Sequence, residues 1–315
     1  MTSQSSKPWW GIALVVGLIL ISVGLFSLAL QLRGGESKMG AAEGKASIGI
    51  LPLTGVIMDS KDFVERLIAF RDNEDIKAII IRADSPGGAV GPSQELYAEL
   101  KKVDEKKPIY TSVGALCASG CYYAAVGTRR IFSNPGSLIG SIGVIMPLYE
   151  AEALFEWAKV HPQFIKSAPM KDIGHPSKRL SEAEAAALQS VVDSTHAQFV
   201  TAVTEGRMFA GMMTDEVRAV ANGLIYTGEQ AMGYGMVDEM GTFRDAVAYA
   251  AKEAKIEGEP KLVYPREDKP QFFELFLESA ARAMGGGVVK GIQQSVENSL
   301  AGGRSPATYF LWKPN

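Results

Sequence analysis

Two short glycine-flanked segments carry residues of the right types to act on a carbonyl group. Ser85-Pro86-Gly87-Gly88 and Ala118-Ser119-Gly120 each follow an apolar run. Glycines, having no Cβ, leave backbone N–H groups open to a ligand, as stabilising a developing oxyanion requires. Ser119 offers a hydroxyl at the start of a helix, expected to be exposed. Such a hydroxyl becomes a nucleophile only when a neighbouring base takes its proton. Taken singly, each segment has a plainer account, SPGG as a turn and Ser119 as a helix N-cap. Several other chemistries are excluded by inspection, since no G-x-S-x-G, S-x-x-K, H-E-x-x-H or G-x-x-x-x-G-K-[ST] pattern occurs. The three histidines, His161, His175 and His196, are scattered, and His196 falls within a long helical stretch, where a satisfied structural role is expected. Cys117 and Cys121 form neither a C-x-x-C pair nor a zinc spacing, so no metal or cofactor is expected.

The elements that must position these groups alternate along the chain. Residues 48–57 are β-rich, and residues 62–70 have helical spacing. Residues 78–82 (AIIIR) form a short apolar run, which predicts a strand buried on both faces. That run leads directly into SPGG, expected to be a turn outside any regular element. Ser93 is expected to open a helix through about residue 102, with the next strand over 108–113. Repeated strand–turn–helix units argue an α/β fold with mostly parallel pairing. In an open parallel sheet, sites form at the carboxyl ends of strands, so the two turns could face one another. Ser181-Glu182-Ala183-Glu184 is a capping box, and the helix behind it carries Leu188, Val192, Phe199 and Val203 at core spacing. Beyond about residue 256, Pro260, Pro265 and Pro270 interrupt the chain before an amphipathic stretch, 272–283, expected to pack against its own domain.

Composition narrows the class. The chain of 315 residues is 47% hydrophobic and 21% charged, with a formal net charge of −3 and mean hydropathy of +0.05. It lacks the basic excess of a nucleic-acid binder, and two cysteines are too few for a disulfide scaffold. Between Lys7 and Arg33 there is no ionisable residue, and residues 11–30 are almost continuously apolar. About twenty such residues cross a hydrocarbon core of roughly 30 Å. Trp9 and Trp10 sit at one border, where amphipathic rings prefer the headgroup level. The run exceeds the roughly 7–15 apolar residues of a signal peptide, and small residues suited to cleavage (Gly40, Ala42) lie well past its end. An uncleaved anchor is therefore expected over 1–33, crossing the bilayer with residues 9–32. A flexible linker (34–46), a catalytic domain (47–255) and a C-terminal extension (256–315) are expected to follow. Lys7 on one side and Arg33 and Lys38 on the other leave its orientation open.

Several motifs in order carry a resemblance. SPGG (85–88), ASG-x-YY (118–123), NPGSLIGSIGVI (134–145), KSAPMKDIGHPSKRLSEAE (166–184), Gly206-Arg207, YTGEQA (226–231) and VDE (237–239) together resemble the signal peptide peptidase A family. The resemblance spans most of residues 48–250. It implies a Clp-protease/crotonase-like fold of repeated β-β-α units behind an N-terminal transmembrane helix. It further implies a serine peptidase with a Ser–Lys dyad and no cofactor, acting on remnant signal peptides. Single-pass anchoring in the bacterial inner membrane with an extracytoplasmic catalytic domain is implied too, as is a homo-oligomer whose chains share sites. Whether the base acts within its own chain stays open.

Carried over by motif, the nucleophile falls on Ser119 and the general base on Lys171. Gly88 matches the oxyanion glycine, with the N–H of Gly120 expected to complete the hole, and Ser141 is expected near the lysine. A lysine serves as a base only when burial lowers its pKa from about 10.4. Pro169 and Met170 could supply an apolar wall, and Asp172 is expected to point elsewhere. The chain departs from the family pattern at Cys121, in place of a second glycine, at Cys117, in place of a small residue, and at Ala168-Pro169. The two cysteines are expected to be free, dispensable thiols. Other classes are weighed beside this one: an inactive membrane-anchored scaffold, a crotonase-type acyl-CoA enzyme, and a cysteine peptidase using Cys117 or Cys121 with His175.

Overall fold

The computed structural model describes residues 46–265 and the backbone of residues 309–311. Strand β1 (Ser47–Ile57) leads through α1 (Lys61–Asp72) to β2 (Ile76–Ala89) and α2 (Val90–Asp104). Strand β3 (Ile109–Ala118) turns into α3 (Gly120–Ala125), and β4 (Arg130–Ser133) and β5 (Leu138–Gly140) follow. A long excursion then carries α4 (Glu152–Trp157) and a 3-10 turn (Pro169–Asp172). The chain continues through α5 (Glu182–Arg207), α6 (Thr214–Val220), β6 (Ile225–Thr227), α7 (Gly228–Gly233) and β7 (Glu239–Met240). Helix α8 (Phe243–Glu253), β8 (Lys261–Val263) and β9 (Tyr309–Leu311) complete the described elements. The expected anchor, the linker up to residue 45 and the stretch 272–283 lie outside the described residues. Among the described residues no helix is long and apolar enough to cross a membrane.

The strands form one mixed sheet in the order β6-β5-β3-β2-β1-β8, with β4 and β7 continuing from the first half of β3. Pairing is parallel except between β5 and β6 and between β2 and β9. Both faces are covered, which is why the central strands are almost continuously apolar. Ile48, Ile50, Ala78 and Ile80 pack with Ala246, Val247 and Ala250 of α8. Leu51, Ile79 and Ile81 point the other way, into a cluster with Leu96, Leu100, Tyr122, Phe199 and Val203. The α/β class with mostly parallel pairing is therefore as expected.

The structure differs from the expected elements in four places. Strand β2 does not stop at SPGG but runs through it, because Gly87 takes a φ of 91° and the β1–β2 and β2–β3 registers both shift there. Pro86, with no N–H to donate, falls within that irregularity, where a sheet tolerates it. Helix α2 starts at Val90, not Ser93, whose hydroxyl instead donates to the Ala89 carbonyl at 2.8 Å. Strand β3 extends past Val113 because Leu116, Cys117 and Ala118 find a second partner in β5. Of the four core positions expected on α5, Phe199 and Val203 are buried, whereas Leu188 and Val192 are only half-buried.

The capping box forms as expected. Glu184 N donates to Ser181 Oγ, and Ser181 N donates to Glu184 Oε2 at 2.9 Å. At its other end α5 is tied down by Arg207, which is 1% exposed. Its guanidinium donates to both carboxylate oxygens of Asp238 at 2.8 and 2.9 Å and to the Gly235 carbonyl at 2.9 Å. Asp238 also accepts from Ile131 N at 2.7 Å, so one carboxylate joins α5 to β4. Removing it leaves a buried guanidinium without its counter-charge. Asp238→Ala should lower stability by about 3–5 kcal/mol, read from urea unfolding. A loss under about 1 kcal/mol would mean that water reaches the guanidinium and replaces the pair.

Candidate active site

Strands β2 and β3 stay paired, through a register shift after Ala83, as far as Ser85 and Cys117. Beyond that pair β2 carries Gly87 and Gly88, while β3 turns at Ser119 into α3. Ser119 has φ 54° and ψ −121°, a conformation that side chains avoid. It is held there by Ser119 N–H donating to the Gly140 carbonyl at 2.7 Å and by Tyr123 N–H donating to the Ser119 carbonyl at 2.9 Å. A similarly sharp strand-to-helix turn presents the serine of α/β-hydrolases. Ser119 occupies the N-cap position of α3, but its side chain makes no capping bond. Nor is it exposed, as the sequence led one to expect: it is 1% exposed, packed where β3, β5 and α3 meet. Its Oγ has no hydrogen-bond partner among the described residues. Leaving a buried hydroxyl unsatisfied costs about 1–3 kcal/mol, a cost the fold accepts at this one serine hydroxyl among the described residues.

Gly88 and Gly120 are brought together beside it. Gly120 opens α3, so its N–H has no intrahelical acceptor. A Cβ on Gly120 would lie 3.1 Å from Gly88 N and overlap Ser93 Oγ, so a side chain has no room there. A Cβ on Gly88 would overlap the backbone of Ile57 in β1. Gly88→Val would therefore displace β1 as well as the N–H, and would not isolate the loss of one donor. Ser85 fixes the segment, its hydroxyl donating to the Gly55 carbonyl at 2.6 Å and accepting from Gly87 N at 3.1 Å. Where β3 has left the edge of β2, the chain's own β9 takes its place. Leu311, Phe310 and Tyr309 pair antiparallel with Gly87, Gly88 and Ala89. The edge beside Gly88 thus accepts an extended backbone.

Ser141 follows the glycine whose carbonyl holds Ser119. It is 7% exposed, has φ 50°, and its N–H donates to the Leu224 carbonyl at 2.7 Å. With Val144, Asn222 and His196 it lines a cavity of about 510 Å³. His196, expected to be satisfied, has an Nε2 with no partner among the described residues.

Lys171 is not brought to Ser119 within the chain. It lies in the 3-10 turn Pro169–Asp172, exposed, and makes no hydrogen bond to Ser119 Oγ. Met170 is exposed as well, so the expected apolar wall is absent from the single chain. Asp172 does point elsewhere. Its carboxylate takes Lys166 Nζ at 2.6 Å and Lys178 Nζ at 3.3 Å, and Lys166 first, then Lys178, hold it below the usual carboxylate range. Lys178 also reaches Glu184 Oε1 at 2.6 Å. Lys178, followed by the Ser181 N–H and hydroxyl, holds Glu184 down at about 2. The turn bearing Lys171 is thereby tied to the N-cap of α5. Sequence reasoning found the capping box but not this chain of charges, although the alternation Lys166, Asp172, Lys178, Glu184 was there to be seen.

Cys117 and Cys121, expected as free thiols, are joined in a disulfide. The turn at Ser119 brings their Cα atoms to 5.1 Å, inside the roughly 4.4–6.8 Å that a disulfide spans. Neither sulfur is therefore a thiolate for a cysteine peptidase. His175, its suggested partner, is engaged with Ser177, Nδ1 lying 2.8 Å from the hydroxyl.

Residues 101–257 match Peptidase family S49. The chain is 37% identical over 214 residues to the Synechocystis protein named "Putative protease slr0021", a match covering 68% of this chain and 76% of that one. It is 34% identical over 197 residues to "Putative signal peptide peptidase SppA" of Enterococcus faecium, covering 62% of this chain and 56% of the relative. "Protease 4" of Salmonella typhi is 29% identical over 256 residues, covering 77% of this chain and 40% of the relative. The chain thus spans about half or less of the length of the last two. With its motifs in family order along this sheet, the chain belongs to peptidase family S49, the family of signal peptide peptidase A.

Proposed function

We propose that this S49 peptidase is a membrane-anchored serine endopeptidase. In this reading it degrades remnant signal peptides and other small or membrane-associated peptides outside the cytoplasm, anchored in the bacterial inner membrane. The fold is read as Clp-protease/crotonase-like, with residues 9–32 as a single-pass anchor. One observation carries the proposal: a buried serine hydroxyl without a partner, on a positive-φ strand-to-helix turn beside two glycines. Ser119 Oγ attacks the scissile carbonyl carbon while its proton passes to neutral Lys171 Nζ. The N–H groups of Gly88 and Gly120 hold the resulting oxyanion. Collapse expels the amine, which takes the proton from Lys171 and leaves an acyl-enzyme. Water, giving a proton to the same lysine, then releases the carboxylate product and restores Ser119. In this reading Ser141 steadies the lysine.

The pairing of β9 with Gly87, Gly88 and Ala89 supports a polypeptide substrate, bound as an added strand, over an acyl-CoA thioester. The disulfide supports an extracytoplasmic domain, because such bonds persist in oxidising compartments. Ser119 without a base and Lys171 exposed support a lysine supplied by a neighbouring copy. The excursion between β5 and α5 exposes Tyr149, Leu154, Trp157 and Val160, with Trp157 at 81%, an apolar surface that a second copy would cover.

A serine-reactive phosphonate should label the wild type at Ser119 and leave Ser119→Ala unlabelled. Lys171→Arg, which cannot release its proton at working pH, should degrade signal-peptide remnants as poorly as Ser119→Ala. The double variant should be scarcely worse, because the two residues act as a unit. More than a few per cent of activity in Lys171→Arg would refute the dyad.

Sharing between chains is tested by mixing. Ser119→Ala and Lys171→Ala, each inactive, should regain about a quarter of wild-type activity once their subunits exchange, by random pairing in a symmetric assembly. Exchange without recovery would place the base elsewhere. The mature protein should retain its anchor; an N-terminus beginning near Ala41 would show that it is removed.

A further inference from the structure

The disulfide brackets the nucleophile. Along Cys117-Ala118-Ser119-Gly120-Cys121, the two sulfur-bearing residues stand symmetrically about Ser119. Cys117 is anchored in the middle of the sheet, in register with Ser85 of β2 on one side and Ile139 of β5 on the other. Cys121 belongs to the first turn of α3, a helix of six residues, all buried. Both cysteines are 0% exposed. The two departures from the family's pattern at these positions are the two ends of one bond.

Backbone hydrogen bonds and the burial of α3 hold this turn beside the disulfide. Ser119 makes no side-chain cap on α3. Its own backbone is held by the hydrogen bond to Gly140 and the one from Tyr123, while Gly120 next to it is intrinsically pliable. A non-glycine residue at φ 54° relaxes toward negative φ unless its surroundings prevent it. Such a relaxation would move Oγ from the position this turn gives it. A bond from the sheet to the first helical turn, spanning the strained residue, opposes that rotation. The loop it closes is short, and the entropic stabilisation from a cross-link grows with loop length, so its main effect is local geometry. Its burial also keeps it from acting as a surface redox switch.

We propose that the Cys117–Cys121 disulfide is a positioning element of the active site, clamping the strand-to-helix turn so that Ser119 Oγ stays aimed between Gly88 and Gly120. This rests on Ser119 being the nucleophile. Because Ser85, Gly87, Gly88 and the edge of β2 that pairs with β9 lie outside the bridged loop, the clamp serves the reacting group and not the binding of the substrate backbone.

The test compares oxidised and reduced wild-type protein, full-length in detergent, which differ by two hydrogens and leave no cavity. Thiol titration establishes the state, and a Cys117→Ala, Cys121→Ala double variant covers incomplete reduction. Reduction should lower kcat and the rate of phosphonate labelling at Ser119 about tenfold or more, as for small misplacements of reacting groups. KM should stay within about twofold, and reoxidation should restore the rate in the wild type but not in the variant. Equal rates in the oxidised and reduced forms, or activity lost only together with folded circular dichroism, would overturn the proposal. Labelling at Ser119 that ignores the thiol state would remove the clamp alone. No labelling at Ser119 in the oxidised protein would remove the nucleophile assignment, and the clamp with it.

Discussion

The conformation of Ser119 is the constraint on which the neighbouring structure depends. A serine at φ 54° persists only if what surrounds it leaves no easier alternative. Strand β5 must lie beside the end of β3 for the Gly140 carbonyl to receive Ser119 N–H, and β6 must in turn support β5. Helix α3 must be immovable, and it is wholly buried. Tyr122 anchors it by donating to the Met236 carbonyl at 2.9 Å, and burial pushes the phenol pKa well up. Behind α3, Gly206 lets α5 approach the Val126 carbonyl, where a Cβ would collide. The Arg207–Asp238 pair, one residue on, fixes that approach.

The separation of β2 from β3 follows from irregularities in both strands. β2 and β3 stay paired while both are flat, then separate where β2 bulges at SPGG and β3 reaches its turn. In parallel α/β sheets the space at the carboxyl ends of strands is where ligands are received. Here it is bounded by two backbone positions without side chains, Gly88 and Gly120, each demanded by packing. Gly88 answers to Ile57, and Gly120 to Ser93 and Gly88.

The turn carrying Lys171 is organised by charge instead of apolar packing. Lys166, Asp172, Lys178 and Glu184 form a connected row ending in the N-cap of α5. It holds a segment that buries little apolar surface of its own, and that exposes aromatic and aliphatic side chains instead. The half-buried positions at the start of α5, Leu188 and Val192, belong to the same outlying region. Such a region has the composition of a surface that is completed by contact.

By itself the sequence determined what depends on short-range pattern. Alternation of apolar runs with helical spacing specified an α/β sheet, AIIIR a strand covered on both faces, and Ser181 with Glu184 a helix start, because burial and capping act within a few residues. The order of weak motifs specified the family. The tertiary structure decided what depends on non-local pairing. SPGG became part of a strand because β1 pairs with it across a bulge. Ser119 became buried because β5 closes over its turn, and that turn brought Cys117 within reach of Cys121. Lys171 was left apart from Ser119, since the excursion carrying it is fixed to α5 and not to the cleft. Backbone torsion at one residue and the destination of a long excursion have no local signature. They are settled only when distant strands and helices compete for the same space.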